Sequence, residues 1–425
     1  MKSNTFLLLN LLILCSCGGT NSDTNDTPPL NPDDHYTEFK SSISRQVLAE
    51  APADFEQFSE DNDNFALDLF FELDEVGENV LYSPFSVGTA LALVYAGSGG
   101  ETKSQMANAL HFHLDDTSLH ANFNYRLTEL EQRNLPSSSE QEALQLNVVN
   151  AVWPSVNYPP LQTYLDTLAL NYGTGVYALD YQNQPELSRQ TINSAVMDWT
   201  EGLIIDLLPP SSITSDTILV LTNTLYLYAP WLTPFNEAFT HEANFANLDQ
   251  TISTVDMMTQ TVSLEYAELE GTEYLAIPYR GKELELFVIM PPIDQFEATA
   301  ANLNISQIKS VRKNLQPANV SLFFPKFSLE SDFELSESLK NLGMVNAFES
   351  IADFSPMGID GRIAYVFHQT RIEFHEAGTE AAAATAVVIV EVSLPPSVRV
   401  DRPFVFIIHD KTTDSILFFG KVVEL

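Results

Sequence analysis

The sequence predicts an α+β fold, in which helices and strands are mixed without the regular repeat of a parallel βαβ sheet. Apolar residues at helical spacing indicate helices, as at Phe65, Leu69 and Leu73 on one helical face. Long runs rich in β-branched and aromatic residues indicate strands at 144–153, 218–227, 284–290 and 404–408. Because the two patterns alternate from about Phe55 onward, we expect layers of helix packed on sheet.

The second predicted helix has clear start and stop signals. Ser83 is a capping residue and Pro84 suits the first helical turn, so the helix begins there and runs to Tyr95. Gly97 and Gly99 follow and end it. The helix is apolar around most of its circumference, which predicts a central, buried position.

Composition and charge limit the classes of protein that fit. The 425 residues include 57 acidic and 20 basic side chains, which gives a formal net charge of -37. Nucleic-acid binding requires a basic face to neutralise phosphates, so this charge excludes a nucleic-acid partner. Apolar residues make up 45% of the chain and aromatic residues 11%, which predicts a folded protein with a buried core. Length alone leaves the number of domains open.

The N-terminus predicts export. Lys2 precedes the apolar run FLLLNLLIL, which is too short to span a bilayer and is typical of a secretory signal. The sequence LCSC that ends at Cys17 resembles the lipobox of bacterial lipoproteins, which implies removal of residues 1–16 as a signal peptide and lipidation of Cys17. The alternative is an ordinary secretory signal with incidental cysteines. With acyl chains on Cys17, we expect a membrane-anchored lipoprotein at the outer membrane or cell surface.

Residues 17–54 are predicted to form an acidic flexible tether. The segment is rich in Gly, Ser, Thr, Asn, Asp and Pro and poor in periodic apolar positions. Its aspartates either belong to a surface-export signal or form a solvated spacer. The two cysteines of the chain, Cys15 and Cys17, lie one residue apart near the N-terminus, so disulfides cannot stabilise the body that follows.

Short motifs recur along the body of the chain in a fixed order. They include NVLYSPFS at 79–86, LTNTLY at 221–226, IPY at 277–279, FPKF at 324–327 and RPF at 402–404. In this order they resemble the motifs of serpins, a family of serine protease inhibitors. The resemblance implies a single domain at 55–425 with the serpin fold, which has three β-sheets, eight or nine helices and an exposed reactive-centre loop.

The segment 374–404 carries the predicted activity. Residues 380–390 combine small side chains with a β-branched run, which by itself is most typical of a buried strand. A permanent core strand fits poorly, because Gly378 offers a backbone hinge and the LPP sequence at 394–396 forces an extended exit outside a ladder. The serpin resemblance resolves the conflict, since it implies a loop that is exposed first and becomes a strand later.

The resemblance identifies the start of this segment as the hinge of an inhibitory serpin. Because strand side chains alternate between faces, every second residue from Thr379 would point into the core after insertion. All of these residues are small or apolar, and no proline interrupts the ladder before the reactive bond. The predicted hinge residues are Gly378, Thr379, Glu380, Ala381, Ala382, Ala383, Ala384 and Thr385.

The resemblance also implies the reactive bond, which lies between Val392 and Ser393 when fourteen residues are counted from the hinge glycine. A β-branched apolar residue at the attacked position fits the shallow pocket of elastase-like proteases and not a pocket with a buried Asp. A shift of one residue would make Glu391 the attacked position and a Glu-selective protease the target. We expect a monomer that forms covalent 1:1 complexes with serine proteases of elastase or subtilisin type, without a cofactor or metal.

Further residues match positions that serpins use to open and hold the sheet. The resemblance implies a polar cluster where the sheet must part, called the shutter, and an aromatic side chain where insertion begins, called the breach. It also implies a salt bridge from Lys326 to Glu376 beside the hinge. The shutter residues are Ser83, Ser86, Asn223 and His368, and the breach residues are Trp231, Lys326 and Glu376. The ordinary alternative for a buried histidine is a hydrogen-bonded core residue.

Two positions depart from the family pattern. Ala195 stands where serpins usually have a helix tryptophan, and Trp199 follows one turn later. Tyr228-Ala229 replaces the usual Lys-Gly pair before Trp231. Both departures lie outside the hinge, so they concern packing more than inhibition.

Other functions fit less well. The chain has no G-x-S-x-G, no H-E-x-x-H and no phosphate-binding glycine loop, so we expect a protein that is not an enzyme. His111 and His113 are expected to be solvated or capping groups rather than metal ligands. The main alternative is a non-inhibitory serpin that acts as a carrier or structural cell-surface protein, followed by a solute-binding lipoprotein. Charged or bulky inward hinge residues would indicate a non-inhibitory serpin, and the sequence has none.

Overall fold

The computed structural model describes residues 35–138, 142–200, 202, 204–379 and 396–425. Several predicted sites lie outside these ranges and stay predictions: Cys17, Glu380 to Thr385, Glu391, and the bond between Val392 and Ser393. The described residues form nine α-helices and three sheets in mixed order. The α+β prediction is therefore confirmed.

The helices follow the amphipathic runs and start signals of the sequence. The first begins at Phe55 and the second at Pro84, as predicted, and every residue of the second helix is buried. No helix among the described residues is both long and apolar enough to cross a membrane. The helices are α1 (Phe55–Leu73), α2 (Pro84–Tyr95), α3 (Gly100–Ala109), α4 (Asp116–Glu131), α5 (Gln162–Tyr172), α6 (Pro185–Trp199), α7 (Phe296–Ala300), α8 (Ile305–Asn314) and α9 (Ser336–Asn341).

All four long strands that the sequence predicts are present, with ends that differ by a few residues. The strands are β1 (Thr37–Phe39), β2 (Val80–Tyr82), β3 (Gln145–Pro154), β4 (Val176–Ala178), β5 (Leu219–Pro230), β6 (His241–Ala246), β7 (Ile252–Leu269), β8 (Thr272–Pro278), β9 (Leu284–Met290), β10 (Gln316–Pro325), β11 (Phe327–Glu334), β12 (Ile363–Phe374), β13 (Gly378–Thr379), β14 (Ser397–Arg399), β15 (Phe404–Asp410) and β16 (Ser415–Val422).

These strands form a large mixed sheet, a central sheet and a short ribbon. The large sheet has the order β14-β10-β7-β8-β9-β15-β16-β2, and β6 also pairs with β7. The central sheet has the order β11-β12-β13-β5-β3, and the ribbon consists of β1 and β4. The buried helix α2 packs against β3 and β5 on one side and against β16 on the other, so it lies between the two larger sheets.

The central sheet is closed at one end and parted at the other. β5 and β12 pair in parallel from Leu219 and Ile363 up to Asn223 and His368. Beyond that point, the short strand β13 lies between the two, antiparallel to both. The sheet therefore already holds two residues of the hinge segment at its parted end.

Residues 35–46 differ from the predicted flexible tether, because they lie against the domain, while residues 17–34 lie outside the described ranges. β1 pairs antiparallel with β4, and the rings of Tyr36 and Tyr177 meet edge to face at 5.6 Å. The amide of Gln46 donates to the carbonyl oxygen of Leu170 at 2.8 Å. Polar composition made this segment resemble a spacer, whereas its main chain pairs with an open strand edge that the sequence pattern does not reveal.

Candidate reactive-loop hinge and shutter

The first two hinge residues lie within the central sheet. Thr379 is opposite Phe374 of β12 on one side and Ala229 of β5 on the other, and Gly378 is opposite Pro230. Only 1% of the Thr379 surface is exposed. The side chain that the sequence predicts to point into the core is therefore buried before any loop cleavage.

A tight turn between β12 and β13 delivers the chain to this position. The amide of His375 donates to the carbonyl oxygen of Gly378 at 2.9 Å, and the amide of Gly378 donates back to His375 at 3.1 Å. Gly378 has a φ of +156°, and a Cβ there would lie 2.3 Å from the Ala229 carbonyl oxygen and 2.4 Å from the Pro230 Cα. Glycine is required here because the backbone of β5 leaves no room for a side chain.

Trp231 donates two hydrogen bonds to the turn between β12 and β13. Its indole nitrogen donates to the carbonyl oxygen of His375 at 2.9 Å, and its amide donates to that of Ala377 at 2.8 Å. Its ring stacks on Tyr279 with centroids 4.7 Å apart and planes 9° from parallel. Trp231 is thus located beside the hinge, as the resemblance implied for the breach.

Tyr279 is a hinge contact that sequence reasoning missed. Its hydroxyl oxygen lies 3.0 Å from Thr379 Oγ1, within hydrogen-bond distance and fully buried. Burial raises the pKa of Tyr279 well above its ordinary value, so the hydroxyl keeps its proton at neutral pH. The tyrosine ends the IPY motif at 277–279, but a motif match alone did not indicate a partner on the hinge.

The predicted contact between Lys326 and Glu376 is confirmed. Lys326 Nζ donates to Glu376 Oε2 at 3.0 Å, and Thr240 Oγ1 donates to Oε1 at 2.8 Å. Burial acts to raise the pKa of Glu376, but hydrogen bonds from Lys326, its own backbone and Thr240 outweigh it, so the pKa lies below its ordinary value. The carboxylate of Glu376, two residues before the hinge glycine, is therefore ionised at neutral pH and hydrogen-bonded at both oxygens.

The four predicted shutter residues come together beneath the point where β5 and β12 part. The amide of Ser83 donates to His368 Nε2 at 2.9 Å, and His368 Nδ1 lies against Asn223 Oδ1. Asn223 Nδ2 donates to the Phe367 carbonyl oxygen at 3.2 Å, and Ser83 Oγ caps α2 by accepting from the Ser86 amide at 3.2 Å. The cluster joins both strands to the buried helix.

Burial sets the charge of His368, and its two hydrogen bonds set its tautomer. It lowers the pKa of His368 to about 3, so the ring is neutral at physiological pH. Because Nε2 accepts a hydrogen bond from the Ser83 amide, the ring proton must be on Nδ1, where it is donated to Asn223. His368 and Asn223 are also the last residues at which β12 and β5 pair directly.

The residues at the two departures from the family pattern are packed in the interior of the domain. The ring of Trp199 stacks on Trp153 with centroids 5.7 Å apart, while Ala195 is buried in the same apolar cluster. Ala229 is fully buried and lies opposite Thr379. Both sites therefore support the central sheet with different side chains.

The two neighbouring histidines make carboxylate contacts. His111 Nε2 lies 2.7 Å from Asp68, and His113 Nδ1 lies 2.9 Å from Asp61, both on α1. In the part of the chain that the structure describes, no cluster of three or more His, Cys, Asp or Glu side chains could hold a metal ion.

Comparisons with known proteins agree with this architecture. The family model for serpins (serine protease inhibitors) matches residues 60–425. A serpin-like protein of Methanosarcina acetivorans is 32% identical over 431 residues, covering 98% of this chain and 95% of its own. Human Serpin B4 is 34% identical over 391 residues, covering 85% of this chain and 98% of its own.

Solved structures give the same result. Tengpin, a thermophilic serpin in the native state, matches with a TM-score of 0.82 and 27% identity over 92% of this chain and 100% of its own. Human thyroxine-binding globulin complexed with thyroxine matches with a TM-score of 0.78 and 28% identity over 88% of this chain and 99% of its own. The fold, the family model and the relatives lead to one conclusion: the chain belongs to the serpin family.

Proposed function

We propose that the protein inhibits elastase-like serine proteases as a suicide substrate, through cleavage between Val392 and Ser393 and insertion of the loop into the central sheet. The observation that carries this proposal is the position of Gly378 and Thr379 between β12 and β5. A strand that begins in this gap runs on between the same two neighbours toward the shutter. The hinge is therefore aligned for insertion.

The chemistry follows from the attacked bond. The protease serine oxygen bonds to the carbonyl carbon of Val392, the bond to the Ser393 nitrogen breaks, and that nitrogen leaves as an amine after protonation by the protease histidine. The product is an ester that joins Val392 to the protease. Residues 379–392 then insert, and at about 3.3 Å per residue they carry the ester roughly 45 Å along the sheet before water hydrolyses it.

Unpartnered polar atoms at the parted end support an insertion site. Thr224 Oγ1 and Gln369 Oε1 are buried without a hydrogen-bond partner among the described residues. They follow Asn223 and His368, the last directly paired residues of β5 and β12. An unsatisfied buried polar group costs about 1–3 kcal/mol, and a strand inserted between β5 and β12 would bring its own side chains beside both residues.

The free energy for insertion comes from interactions that the native fold withholds. Main-chain pairing of the new strand and burial of its small inward side chains both become available only after cleavage frees the loop. The native state is thus held kinetically and does not have the lowest free energy. The shutter, which joins β5, β12 and α2, is the described cluster that must rearrange as the strand enters.

Target choice rests on Val392. A β-branched apolar side chain suits a shallow apolar specificity pocket, so elastase-like and subtilisin-like enzymes are the proposed targets. A register shift to Glu391 would direct the inhibitor to Glu-selective proteases. The LCSC sequence at Cys17 supports an exported, lipid-anchored inhibitor at the outer membrane or cell surface.

A non-inhibitory role is the second candidate, because one similar structure is a thyroxine-binding globulin with bound thyroxine. The two candidates differ in the fate of the protease. An inhibitor keeps it as an ester, whereas a carrier or structural serpin would be cut and would release active enzyme.

The test is to mix the protein with pancreatic elastase, subtilisin, trypsin and a Glu-selective protease at equal molar ratio and analyse the products in boiling detergent. We expect a 1:1 complex with elastase or subtilisin, and an ester at Val392 by mass spectrometry. Val392→Arg should shift complex formation to trypsin. Cleavage without a stable complex for every protease would refute the inhibitory proposal and leave the non-inhibitory one.

A further inference from the structure

The segment from Tyr36 to Gln46 docks across three elements of the domain. Its strand β1 extends β4 by antiparallel pairing, from Thr37 opposite Ala178 to Phe39 opposite Val176. Further along, Ser41 Oγ donates to Asp166 Oδ1 of α5 at 2.6 Å. We call residues 35–46 the strap.

Arg45 fastens the strap to α4. Its guanidinium donates from Nε to Asn124 Oδ1 at 2.8 Å and from Nη2 to the Asn124 carbonyl oxygen at 3.0 Å, and it forms a salt bridge with Glu131. Asn124 in turn donates a hydrogen bond from Nδ2 to the Gln46 carbonyl oxygen at 2.8 Å. Asn124 is fully buried with the strap in place, where the strap provides the partners for these hydrogen bonds.

The surface beneath the strap is shaped to receive it. A Cβ on Gly175 would lie 2.4 Å from the Phe39 carbonyl oxygen and 3.0 Å from Lys40 Cβ, so glycine is what lets the strap backbone approach. A Cβ on Gly173 would lie 3.2 Å from Arg45 Cδ. The strap itself lies outside residues 60–425, the part of the chain that matches the serpin family model.

The strap connects parts of the domain that must separate when the central sheet opens. A strand inserted between β12 and β5 displaces one from the other by about 4.8 Å, and β3 is paired with β5. The end of β3 is joined to the end of β4 by a parallel bridge. In this bridge the Val156 amide donates to the Leu179 carbonyl oxygen, and the Leu179 amide donates to the Pro154 carbonyl oxygen, both at 2.9 Å. A shift of β5 is therefore transmitted to β4 and to the strap.

At its other end the strap is attached to α4, which is itself hydrogen-bonded to α1 and to the residue before it. Arg126 of α4 donates to Ser59 Oγ of α1 at 2.7 Å, and Asn122 donates to Asp54 Oδ1 at 2.7 Å. The strap thus ties the edge of the moving strands to helices that pack on the rest of the core.

We propose that β4, α4 and α5 form a peptide-docking site whose occupant is the strap of the same chain, and that the docked strap slows opening of the central sheet. The proposal rests on the proposed function, since it concerns the rate of the same insertion. The strap lengthens the lifetime of the uninserted state, and its release accelerates insertion with or without a protease.

The test compares variants of the full chain purified in detergent. Gly175→Ala blocks the strap backbone, Arg45→Ala removes its charged contact, and a deletion of 35–46 removes the strap. Lys313→Ala, an exposed cation on α8, is the matched control for loss of a positive charge. Incubation at a fixed sub-denaturing temperature, followed by urea-gradient gels, gives the half-life for conversion to a urea-resistant, inserted form.

We expect the half-life to shorten roughly tenfold in each strap variant and to stay unchanged in the control, because charge-assisted and buried hydrogen bonds are the strong ones. In the deletion background, Gly175→Ala should have no further effect, and a synthetic peptide of residues 35–46 should restore the long half-life. Equal half-lives for all variants would overturn the proposal, as would a peptide without effect on a faster-converting deletion. The assay needs no protease, so the strap proposal can be refuted while the inhibitory proposal stands, and the inhibitory proposal can be refuted while the strap proposal stands.

Discussion

Replacing Gly378 by alanine should drive the hinge out of the central sheet. The new Cβ would lie 2.3 Å from the Ala229 carbonyl oxygen and 2.8 Å from the Trp231 amide nitrogen, closer than non-bonded atoms approach. These neighbours are backbone atoms of paired strands, so they cannot move aside as the end of a flexible side chain can. The hinge backbone has to move instead.

The size of the effect follows from two terms. A non-glycine residue at such a φ costs about 1–3 kcal/mol, and the steric overlap adds to this, so the seated hinge loses at least about 3 kcal/mol. In the wild type, about two main-chain hydrogen bonds and the buried contact from Tyr279 to Thr379 favour the seated hinge by about 2–4 kcal/mol. The two values are similar, so the variant should have its hinge unseated for much of the time.

Hydrogen exchange measures this shift directly. Peptides that cover 374–379 and 229–235 should lose protection by roughly a hundredfold in Gly378→Ala, since 1.4 kcal/mol corresponds to a factor of ten. Gly343→Ala is the control, because Gly343 has a φ of +107° but no atom within 4 Å of the added Cβ. If Gly378→Ala leaves exchange at the hinge unchanged, the reasoning about the seated hinge is wrong.

Three further predictions concern the hinge, the breach and the shutter. Thr379→Arg places a charge at a buried position, so the inhibitor should become a substrate, with elastase cutting it while the stable complex falls at least tenfold on detergent gels; Thr379→Ser should keep the complex. Lys326→Ala should lower the free energy of unfolding by about 1 kcal/mol in urea titrations at pH 7, a value reduced by the exposure of the lysine. Because the pKa of Glu376 lies below its ordinary value in the fold, the difference should be lost as the pH falls through that lowered pKa and Glu376 is protonated. Because the pKa of His368 is about 3 in the fold and 6.5 when unperturbed, the unfolded chain binds a proton that the native chain does not. The stability that the buried neutral His368 contributes is therefore complete above pH 6.5 and falls by about 1.4 kcal/mol per pH unit below it. In denaturation series from pH 7 to 5, a His368→Asn variant should lack this part of the pH dependence of the unfolding free energy.

The sequence predicts the parts of this fold that depend on local pattern. Helix α2 has its cap, its proline and its fully apolar face within a few residues, so both its start at Pro84 and its burial could be predicted. The resemblance added pairs that are distant in sequence, and the contact from Lys326 to Glu376 is present at 3.0 Å. In such cases each residue has a distinctive type at a motif position.

Two features could not be predicted, for a shared physical reason. The strap has a polar composition, and its docking depends on an open edge of β4 and on space above Gly175, which exist only after folding. Tyr279 stood in a recognised motif, but its hydroxyl gains significance only because Thr379 is seated in the sheet 3.0 Å away. Main-chain edges and burial leave little trace in residue type, so these contacts appear only in three dimensions.

The central claim is that the native fold withholds a strand that the cleaved loop can supply. Its most direct test is the thermal unfolding of intact protein and of protein cut within 390–394 by catalytic amounts of a cysteine protease, with the cut confirmed by mass spectrometry. The inserted residues add of order ten main-chain hydrogen bonds, each worth about 1 kcal/mol, so a cleaved domain of this size should unfold roughly 10–15 °C above the intact one. Equal unfolding temperatures for the two forms would contradict the account.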